Sequence, residues 1–173
     1  MAQVKHPLPD LELLLLDLDG TVRTCTVAGQ PCPNRPGEQA LVPGIGAVLA
    51  SYQRAGIPFA IATNQGGIGV GFMKERDFQK QLVELRGMLA AEGVEPDFEV
   101  RHCPHHPRSG CGCRKPKGGM LFSLMGHFQA DRERTLYVGD RPPDKGAAQA
   151  AGCQFAWAWD FHPWDGYPAL RRR

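Results

Sequence analysis

The 173 residues, of which 42% are hydrophobic and 22% charged, have the size and composition of one globular domain. The net charge of +2 is too small to indicate nucleic-acid binding by itself. No window approaches the roughly 20 apolar residues of a membrane span. Residues 1–10 lack the apolar core of a signal peptide, so we expect a cytoplasmic protein with no membrane partner.

Strand-like and helix-like segments alternate along the chain. Strands are predicted at residues 11–16, 57–62, 98–102, 135–138 and 154–157, and helices at 44–54, 74–91, 118–128 and 142–151. A loop rich in proline and glycine is predicted over residues 23–43. The alternation is typical of an α/β fold in which helices cover both faces of a mainly parallel five-stranded sheet.

No linker or repeat divides the chain, so residues 1–173 are interpreted as a single domain. After the predicted elements are assigned, only the loop at 23–43 and a cysteine-rich loop at 103–113 remain to cover a site, which leaves a minimal cap or none. The glycine patterns of dinucleotide-binding and P-loop proteins are absent from the sequence.

Two aspartates, Asp17 and Asp19, directly follow the first predicted strand. Ligands of open α/β sheets bind beyond the carboxyl ends of the strands. Two carboxylates about 4 Å apart repel by about 4 kcal/mol at an effective dielectric constant of about 20. A cation between them is therefore expected, and Mg²⁺ is the natural candidate because it prefers oxygen ligands. The alternative is a simple aspartate-rich turn in which Gly20 supplies an unusual backbone conformation.

Other polar residues follow the later strands: Thr63 and Asn64 after the second, and Asp140 after the fourth. A cationic pair, Arg114 and Lys115, follows the cysteine-rich loop. Carboxylates, a hydroxyl, an amide and a lysine at one sheet edge are typical of a metal-assisted phosphoryl-transfer site. One carboxylate can attack phosphorus and form an aspartyl-phosphate. The other can protonate the leaving alcohol and later activate water.

Three of the six cysteines crowd into eleven residues together with two histidines. Reduced thiols in a cytosolic chain favour a metal site over a disulfide framework. Cys103, His105, Cys111 and Cys113 supply three thiolates and one imidazole, which is the closed tetrahedral set of a structural zinc. His106 is the alternative to His105 as a ligand. Cys25 and Cys32 are interpreted as free thiols, with a redox pair as the alternative.

Four ordered motifs resemble the haloacid dehalogenase superfamily of phosphatases. They are Asp-Leu-Asp-Gly-Thr at 17–21, Thr-Asn-Gln-Gly-Gly-Ile at 63–68, Cys-Arg-Lys-Pro at 113–116 and Val-Gly-Asp-Arg-x-x-Asp at 138–144. Cys-Pro-His-His-Pro at 103–107 and Cys-x-Cys at 111–113 are similar to the branch that contains histidinol-phosphate and heptose-bisphosphate phosphatases. The resemblance extends from residue 11 to about residue 159.

The resemblance implies a role for each matching residue. Asp17 corresponds to the family nucleophile and Asp19 to its general acid/base. Asp17, the main-chain carbonyl of Asp19 and Asp140 would hold Mg²⁺, while Thr63 and Lys115 would bind the transferring phosphoryl group.

Four further residues receive less direct roles. Asn64 is expected to orient phosphate oxygens. Arg114 and Arg141 are candidate substrate contacts, with plain surface charges as the alternative. Asp144 is expected to steady Lys115 or its loop, or simply to act as a helix N-terminal carboxylate.

The substrate is less determined than the chemistry, and a small phosphorylated metabolite of the heptose-bisphosphate or histidinol-phosphate type is the leading hypothesis. Leu18 stands where members of this branch commonly carry arginine, and the first two motifs are shared with polynucleotide 3′-phosphatases. A nucleic-acid end-processing enzyme is therefore an alternative, and a non-catalytic zinc-dependent interaction module is a third. Phe155, Trp157 and Trp159 could stack on bases but are interpreted as one face of a strand. A monomer and a small homo-oligomer remain equally open.

Overall fold

A five-stranded parallel sheet forms the central layer of the protein in a computed structural model, which describes residues 10–164 and residue 166. The strands are, in chain order, β1 (Leu13–Leu16), β2 (Arg23–Cys25), β3 (Gln39–Leu41), β4 (Phe59–Asn64), β5 (Glu99–Cys103), β6 (Thr135–Gly139) and β7 (Gln154–Trp157). The central sheet has the order β5-β4-β1-β6-β7, and β2 pairs with β3 in a separate antiparallel hairpin.

Helices cover both faces of this sheet, as the sequence predicts. They are α1 (Ile45–Arg54), α2 (Gly66–Val70), α3 (Glu75–Ala91), α4 (Gly119–Phe128), α5 (Pro142–Ala151) and α6 (Ala158–Phe161), with one short 3-10 turn at Arg132–Arg134. The predicted fold class is confirmed, and every predicted strand and helix begins and ends within two residues of an observed one.

The strand β1 divides the core between the two faces because successive side chains of a strand point in opposite directions. Leu14 and Leu16 pack in one cluster with residues of α1 and α3. Leu13 and Leu15 pack in the other with residues of α4 and α5. All four side chains are fully buried, and each such burial contributes about 1.5–3 kcal/mol. This burial holds β1 at the centre of the sheet and fixes where the chain after Leu16 emerges.

The segment predicted as a loop over residues 23–43 contains the β2–β3 hairpin. Its strands have three residues each, too few to show the alternation that identifies a strand in a sequence. The helix α2 was not predicted either, because it has only five residues and three of them are glycines. It packs closely on the cysteine-rich loop: a Cβ added at Gly69 would lie 2.2 Å from the backbone nitrogen of His106.

The interpretation of Phe155, Trp157 and Trp159 as one face of a strand is wrong beyond Trp157. The strand β7 ends at Trp157, and Trp159 lies in α6. The indole rings of Trp157 and Trp159 stack with centroids 4.8 Å apart and an interplanar angle of 9°. The predicted range 154–157 ends where β7 ends, but the alternation of aromatic residues continues to Trp159 although the backbone turns into a helix.

Within the described part of the chain, no helix is long and apolar enough to cross a membrane. The expectation that there is no signal peptide concerns residues 1–10, and residues 1–9 lie outside the described part.

Candidate active site

The carboxyl ends of β1, β4 and β6 meet at one edge of the sheet. Asp17 directly follows β1, and its backbone nitrogen donates a hydrogen bond to the carbonyl of Val138 in β6 (2.8 Å). A cleft of about 220 Å³ opens at this edge. Its lining residues are Asp17, Asp19, Pro31, Cys32, Thr63, Asn64, Arg114, Lys115, Arg141, Pro143 and Asp144. All the residues predicted for the phosphoryl-transfer site except Asp140 therefore line one cleft, and a carboxylate oxygen of Asp140 lies within 4.8 Å of oxygens of Asp17 and Asp144.

A buried ion cluster forms around Lys115, whose side chain is only 3% exposed. Its Nζ contacts the carboxylates of Asp17 and Asp144, the latter at 2.7 Å. It also lies 2.9 Å from the carbonyl oxygen of Ala62 and 2.8 Å from the hydroxyl of Tyr137. A buried ammonium group requires such partners, because an unpaired charge in the interior costs several kcal/mol.

The backbone of Lys115 is held as firmly as its side chain. The Asn64 side-chain amide donates to the Lys115 carbonyl (3.1 Å) and accepts from the Lys115 backbone nitrogen (3.0 Å). Both polar atoms of Asn64 are thus engaged by the lysine. These two hydrogen bonds position Lys115, and the phosphate contact expected of Asn64, which lines the cleft, stays a prediction.

The charges of this cluster shift one another's ionisation. Burial raises the pKa of Asp17 well above its ordinary value, with Asp144 and Asp140 adding to the shift and Lys115 opposing it. Burial alone would lower the pKa of Lys115, but the charges of Asp17 and Asp144 outweigh it and the net shift is upward. Lys115 is therefore protonated, but its charge does not offset the burial of Asp17 and the repulsion from Asp144 and Asp140. A further cation would favour the ionised form of Asp17.

The carboxylates of Asp17, Asp140 and Asp144 place one oxygen each within 4.8 Å of one another. Asp144 is already engaged: besides Lys115, its oxygens accept from the Tyr137 hydroxyl (3.1 Å) and the Arg141 backbone nitrogen (2.9 Å). Asp140 is different, because its Oδ1 is buried and has no hydrogen-bond partner among the described residues. A buried, unpartnered carboxylate oxygen beside Asp17 fits a hard divalent cation such as Mg²⁺.

The side chain of Asp19 lies outside this carboxylate group. Its Oδ1 accepts from Arg23 Nε (2.8 Å), and its Oδ2 accepts from Gln65 Nε2 (2.8 Å). The same Gln65 nitrogen donates to Thr63 Oγ1 (2.9 Å). Of Asp19, only the main-chain carbonyl was expected to contact the cation, and this placement of its carboxylate is compatible with that expectation.

The two arginines predicted to contact substrate both line the cleft, but they differ in exposure and in their polar contacts. Arg141 is more than half exposed, and its Nε lies 3.8 Å from Asp140. Arg114 is partly buried, and its Nη1 has no hydrogen-bond partner among the residues that the structure describes. Leu18 is fully buried in the core, so it brings no polar group to the cleft.

The four predicted zinc ligands converge. Cys103 Sγ lies 3.6 Å from His105 Nδ1 and 3.6 Å from Cys111 Sγ. Cys113 Sγ lies 3.2 Å from His105 Nδ1 and 3.5 Å from Cys111 Sγ. The spacing is close to the edges of a tetrahedron built on Zn–S bonds of about 2.3 Å and Zn–N bonds of about 2.0 Å. The alternative ligand His106 lies outside this group, and its Nδ1 accepts from the backbone nitrogen of Arg108 (3.1 Å).

The crowded thiols also have divergent acidities. A hydrogen bond with Ser109 lowers the pKa of Cys111 to about 6. Burial and the neighbouring thiols raise the pKa of Cys113 to about 12. Thiolates held this closely repel one another, a cation relieves that repulsion, and the donor set is the one that zinc prefers.

Four residues that the structure places at the site have no site role predicted from the sequence. Tyr137 contacts Lys115 and Asp144, Gln65 and Arg23 hold Asp19, and Cys32 lines the cleft. Burial raises the pKa of Cys32 to about 11, with the charge of Asp19 adding to the shift, so this thiol stays protonated. The site role of Gln65 could have been predicted, because this residue lies inside the second motif. Tyr137 was predicted only as part of a strand, because no motif includes it.

Comparisons with known proteins give the same picture. A HAD-hydrolase-like family model matches residues 112–158. The D-glycero-beta-D-manno-heptose-1,7-bisphosphate 7-phosphatase of Pseudomonas putida is 37% identical over 144 residues, which cover 83% of this chain and 80% of that protein. The histidine biosynthesis bifunctional protein HisB of Legionella pneumophila is 33% identical over 125 residues, covering 72% of this chain and 35% of that protein.

A solved structure extends the likeness to three dimensions. The D,D-heptose 1,7-bisphosphate phosphatase from B. bronchiseptica, crystallised with magnesium and phosphate, matches with a TM-score of 0.76 at 30% sequence identity. The match covers 84% of this chain and 79% of that one. Sheet order, acidic cleft and sequence together define a phosphatase of the haloacid dehalogenase class, which hydrolyses phosphoric monoesters. Within that class the chain belongs to the family of heptose-bisphosphate and histidinol-phosphate phosphatases.

The buried carboxyl of Asp140 makes the stability of the magnesium-free protein depend on pH. Burial and the charge of Asp144 raise its pKa to about 6, against about 3.9 in an unfolded chain. The folded state binds more protons between these values, so stability falls as the pH rises from about 4 to 6. We expect Asp140→Asn to raise the free energy of unfolding by roughly 1–3 kcal/mol at pH 8 and to change it little at pH 4.

Urea denaturation measures this difference. The buffer contains no magnesium, and it contains no chelator because a chelator would also extract zinc. The control is Asp97→Asn, an exposed carboxylate before β5 at the opposite edge of the sheet, which should change stability by no more than about 0.5 kcal/mol. An Asp140→Asn protein destabilised equally at both pH values would contradict the electrostatic account.

Proposed function

We propose that the chain is a Mg²⁺-dependent phosphomonoesterase that acts on a small phosphorylated metabolite through an aspartyl-phosphate intermediate. The observation that carries the proposal is that Asp17, which lines the cleft, contacts Lys115 and has a carboxylate oxygen within 4.8 Å of one of Asp140, whose buried Oδ1 has no hydrogen-bond partner among the described residues. Asp17, the main-chain carbonyl of Asp19 and Asp140 would hold Mg²⁺. When bound, the ion would offset the negative charge of the acids and of the incoming phosphate.

Asp17 is the proposed nucleophile. One of its carboxylate oxygens attacks phosphorus as the bond between phosphorus and the leaving oxygen breaks, giving an aspartyl-phosphate and an alcohol. Lys115 neutralises charge on the transferring group, and the Thr63 hydroxyl orients a phosphoryl oxygen. Lys115 is already fixed by Asp144, Tyr137 and the Asn64 amide, so little reorganisation is needed when the phosphate arrives.

Asp19 is the proposed general acid/base. In the first half-reaction its protonated carboxyl gives a proton to the leaving oxygen. In the second half-reaction its carboxylate accepts a proton from water as the water attacks the aspartyl-phosphate, which releases phosphate and regenerates Asp17. Its placement at the cleft wall, beside but outside the carboxylate group of Asp17 and Asp140, supports this division of labour.

The cysteine-rich loop is the proposed structural zinc site, with Cys103, His105, Cys111 and Cys113 as ligands. Four protein ligands leave no open coordination position for catalysis. Lys115 follows the last ligand by two residues, so the metal would fix the loop that presents the lysine to Asp17.

The proposed substrate is a small phosphorylated sugar or a related metabolite, in line with the names of the relatives. Arg114 and Arg141, at the cleft, would contact it. We further propose that residues 1–173 form one domain and that the enzyme works in the cytoplasm. The family assignment favours this hydrolase over a non-catalytic module, and a polynucleotide 3′-phosphatase remains the alternative to be separated by assay.

Phosphate release tests the proposal across three substrates: heptose bisphosphate, histidinol phosphate and a 3′-phosphorylated oligonucleotide. We expect Mg²⁺-dependent turnover of at least one of the two small substrates and little or none of the oligonucleotide. Asp17→Asn should lower kcat by at least about 10³-fold because the nucleophile is lost. Asp97→Asn should retain full activity. Appreciable turnover by Asp17→Asn would remove Asp17 from its proposed role, and preference for the oligonucleotide would overturn the substrate class.

The zinc proposal predicts about one zinc ion per purified chain, because the four ligands make one site. Cys113→Ser should reduce the bound zinc and lower the free energy of unfolding by several kcal/mol, since metal binding is coupled to the folding of the loop. Cys153→Ser is the matched control because Cys153 lies outside the ligand group. Elemental analysis and urea denaturation provide the readouts. A metal-free wild-type preparation that is stable and fully active would contradict a structural zinc.

A further inference from the structure

Arg23, the first residue of β2, is a fully buried arginine next to Asp19, a residue of the cleft. Its Nε donates to Asp19 Oδ1 at 2.8 Å. The backbone forms a tight turn that brings the two residues together. The Arg23 nitrogen donates to the Leu18 carbonyl (3.0 Å), and the Arg23 carbonyl accepts from the Gly20 nitrogen (2.8 Å). The contact between Arg23 and Asp19 is therefore built into the local fold.

Two further elements hold the guanidinium from behind. Its Nη1 donates to Gln39 Oε1 in β3 (2.8 Å) and to Gln81 Oε1 in α3 (2.9 Å). Gln39 Nε2 donates in turn to the carbonyl of Gln81 (2.8 Å). Both glutamines are buried. The long arginine side chain is thus locked in one conformation before any substrate binds.

Gln65 completes the support of Asp19 from the other side. It donates to Asp19 Oδ2, so each carboxylate oxygen is held by one nitrogen. A carboxylate oxygen has two lone pairs, and each oxygen of Asp19 therefore keeps one site that can carry a proton. The two donors fix the orientation of the carboxyl group without occupying the position that proton transfer needs.

The burial of Arg23 is difficult to explain as a device for stability. Its Nη2 is buried without a hydrogen-bond partner among the described residues. Burying a charged group is costly, and apolar side chains of similar volume often stabilise a fold equally well or better. The guanidinium donates a hydrogen bond to Asp19, which lines the cleft. A role of Arg23 in the reaction therefore explains its burial better than a role in stability.

We propose that Arg23 is a positioning residue for proton transfer by Asp19, an inference that rests on the proposed acid/base role of Asp19. Arg23 holds the carboxyl group where it gives its proton to the leaving oxygen as the bond to phosphorus breaks. It holds the carboxylate in the same place when a proton returns to it from the attacking water. Arg23 itself touches neither substrate nor cation.

The dependence of the rate on the leaving group separates this role from a purely structural one. p-Nitrophenolate leaves without needing a proton, whereas the alkoxide of an alkyl phosphate needs one. We expect Arg23→Met to lower kcat/KM by about 100-fold with an alkyl phosphate, and by less than about 5-fold with p-nitrophenyl phosphate. Arg23→Lys should recover part of the loss because it can still donate one charged hydrogen bond. Asp19→Asn should show the same selectivity.

A double variant tests whether the two residues act together. In the Asp19→Asn background, Arg23→Met should add less than about 2-fold to the loss, because the group that it positions is already disabled. Equal losses on both substrates, or an additive double variant, would overturn the inference. If Asp19→Asn does not discriminate between the substrates, the acid role proposed for Asp19 fails first and the inference falls with it.

A second variant covers the case in which Arg23→Met does not fold. Gln39→Met leaves the arginine in place and removes one of its two supporting acceptors. It should lower kcat/KM selectively for the alkyl phosphate, by about 3–10-fold, since Asp19 is then held less firmly. An equal reduction for both substrates, or no reduction for either, would overturn the positioning role.

Discussion

The ion pair between Lys115 and Asp17 is the interaction on which the organisation of this site depends. Both side chains are almost fully buried, and the charge of each offsets part of the cost of burying the other. Asp144 supplies a second negative partner for the lysine. Asp140 lies close to both acids, and its Oδ1 has no hydrogen-bond partner among the described residues. This grouping of acids favours a divalent cation, which in the proposed mechanism would offset the negative charge of the acids and of an incoming phosphate group.

The lysine of this pair belongs to a loop, which is the least rigid kind of segment on which to place a catalytic charge. Asn64 clamps its backbone to the end of β4, and the proposed zinc ligands close the chain just before it. The proposed metal site would thus act on the chemistry only through the position of Lys115. In this proposal the zinc ion would hold the loop in place, and the magnesium ion would take part in the reaction.

Much of this arrangement could be predicted because its signals are local. The run ending at Leu16 marks a buried strand, and the crowded thiols mark a metal site. Of the residues that support the site, only Asp144 was expected beside Lys115, on the strength of the family resemblance. The other supporting contacts could not be predicted, because they join residues far apart in sequence: Arg23 contacts Gln81 across 58 positions and Lys115 contacts Tyr137 across 22. The hairpin that carries Arg23 has strands too short for a periodic signal, so a key contact of Asp19 lay in a segment interpreted as loop.

The most direct test of the account is a crystal structure of the enzyme grown with Mg²⁺ and trifluoroberyllate, an analogue of an acyl-phosphate phosphoryl group. The account predicts a beryllium–oxygen bond to Asp17, fluorine contacts to Lys115 and Thr63, and Mg²⁺ ligated by Asp17 and Asp140. Trifluoroberyllate attached to another carboxylate, or a cation bound away from Asp140, would contradict the central claim that these groups form one phosphoryl-transfer centre.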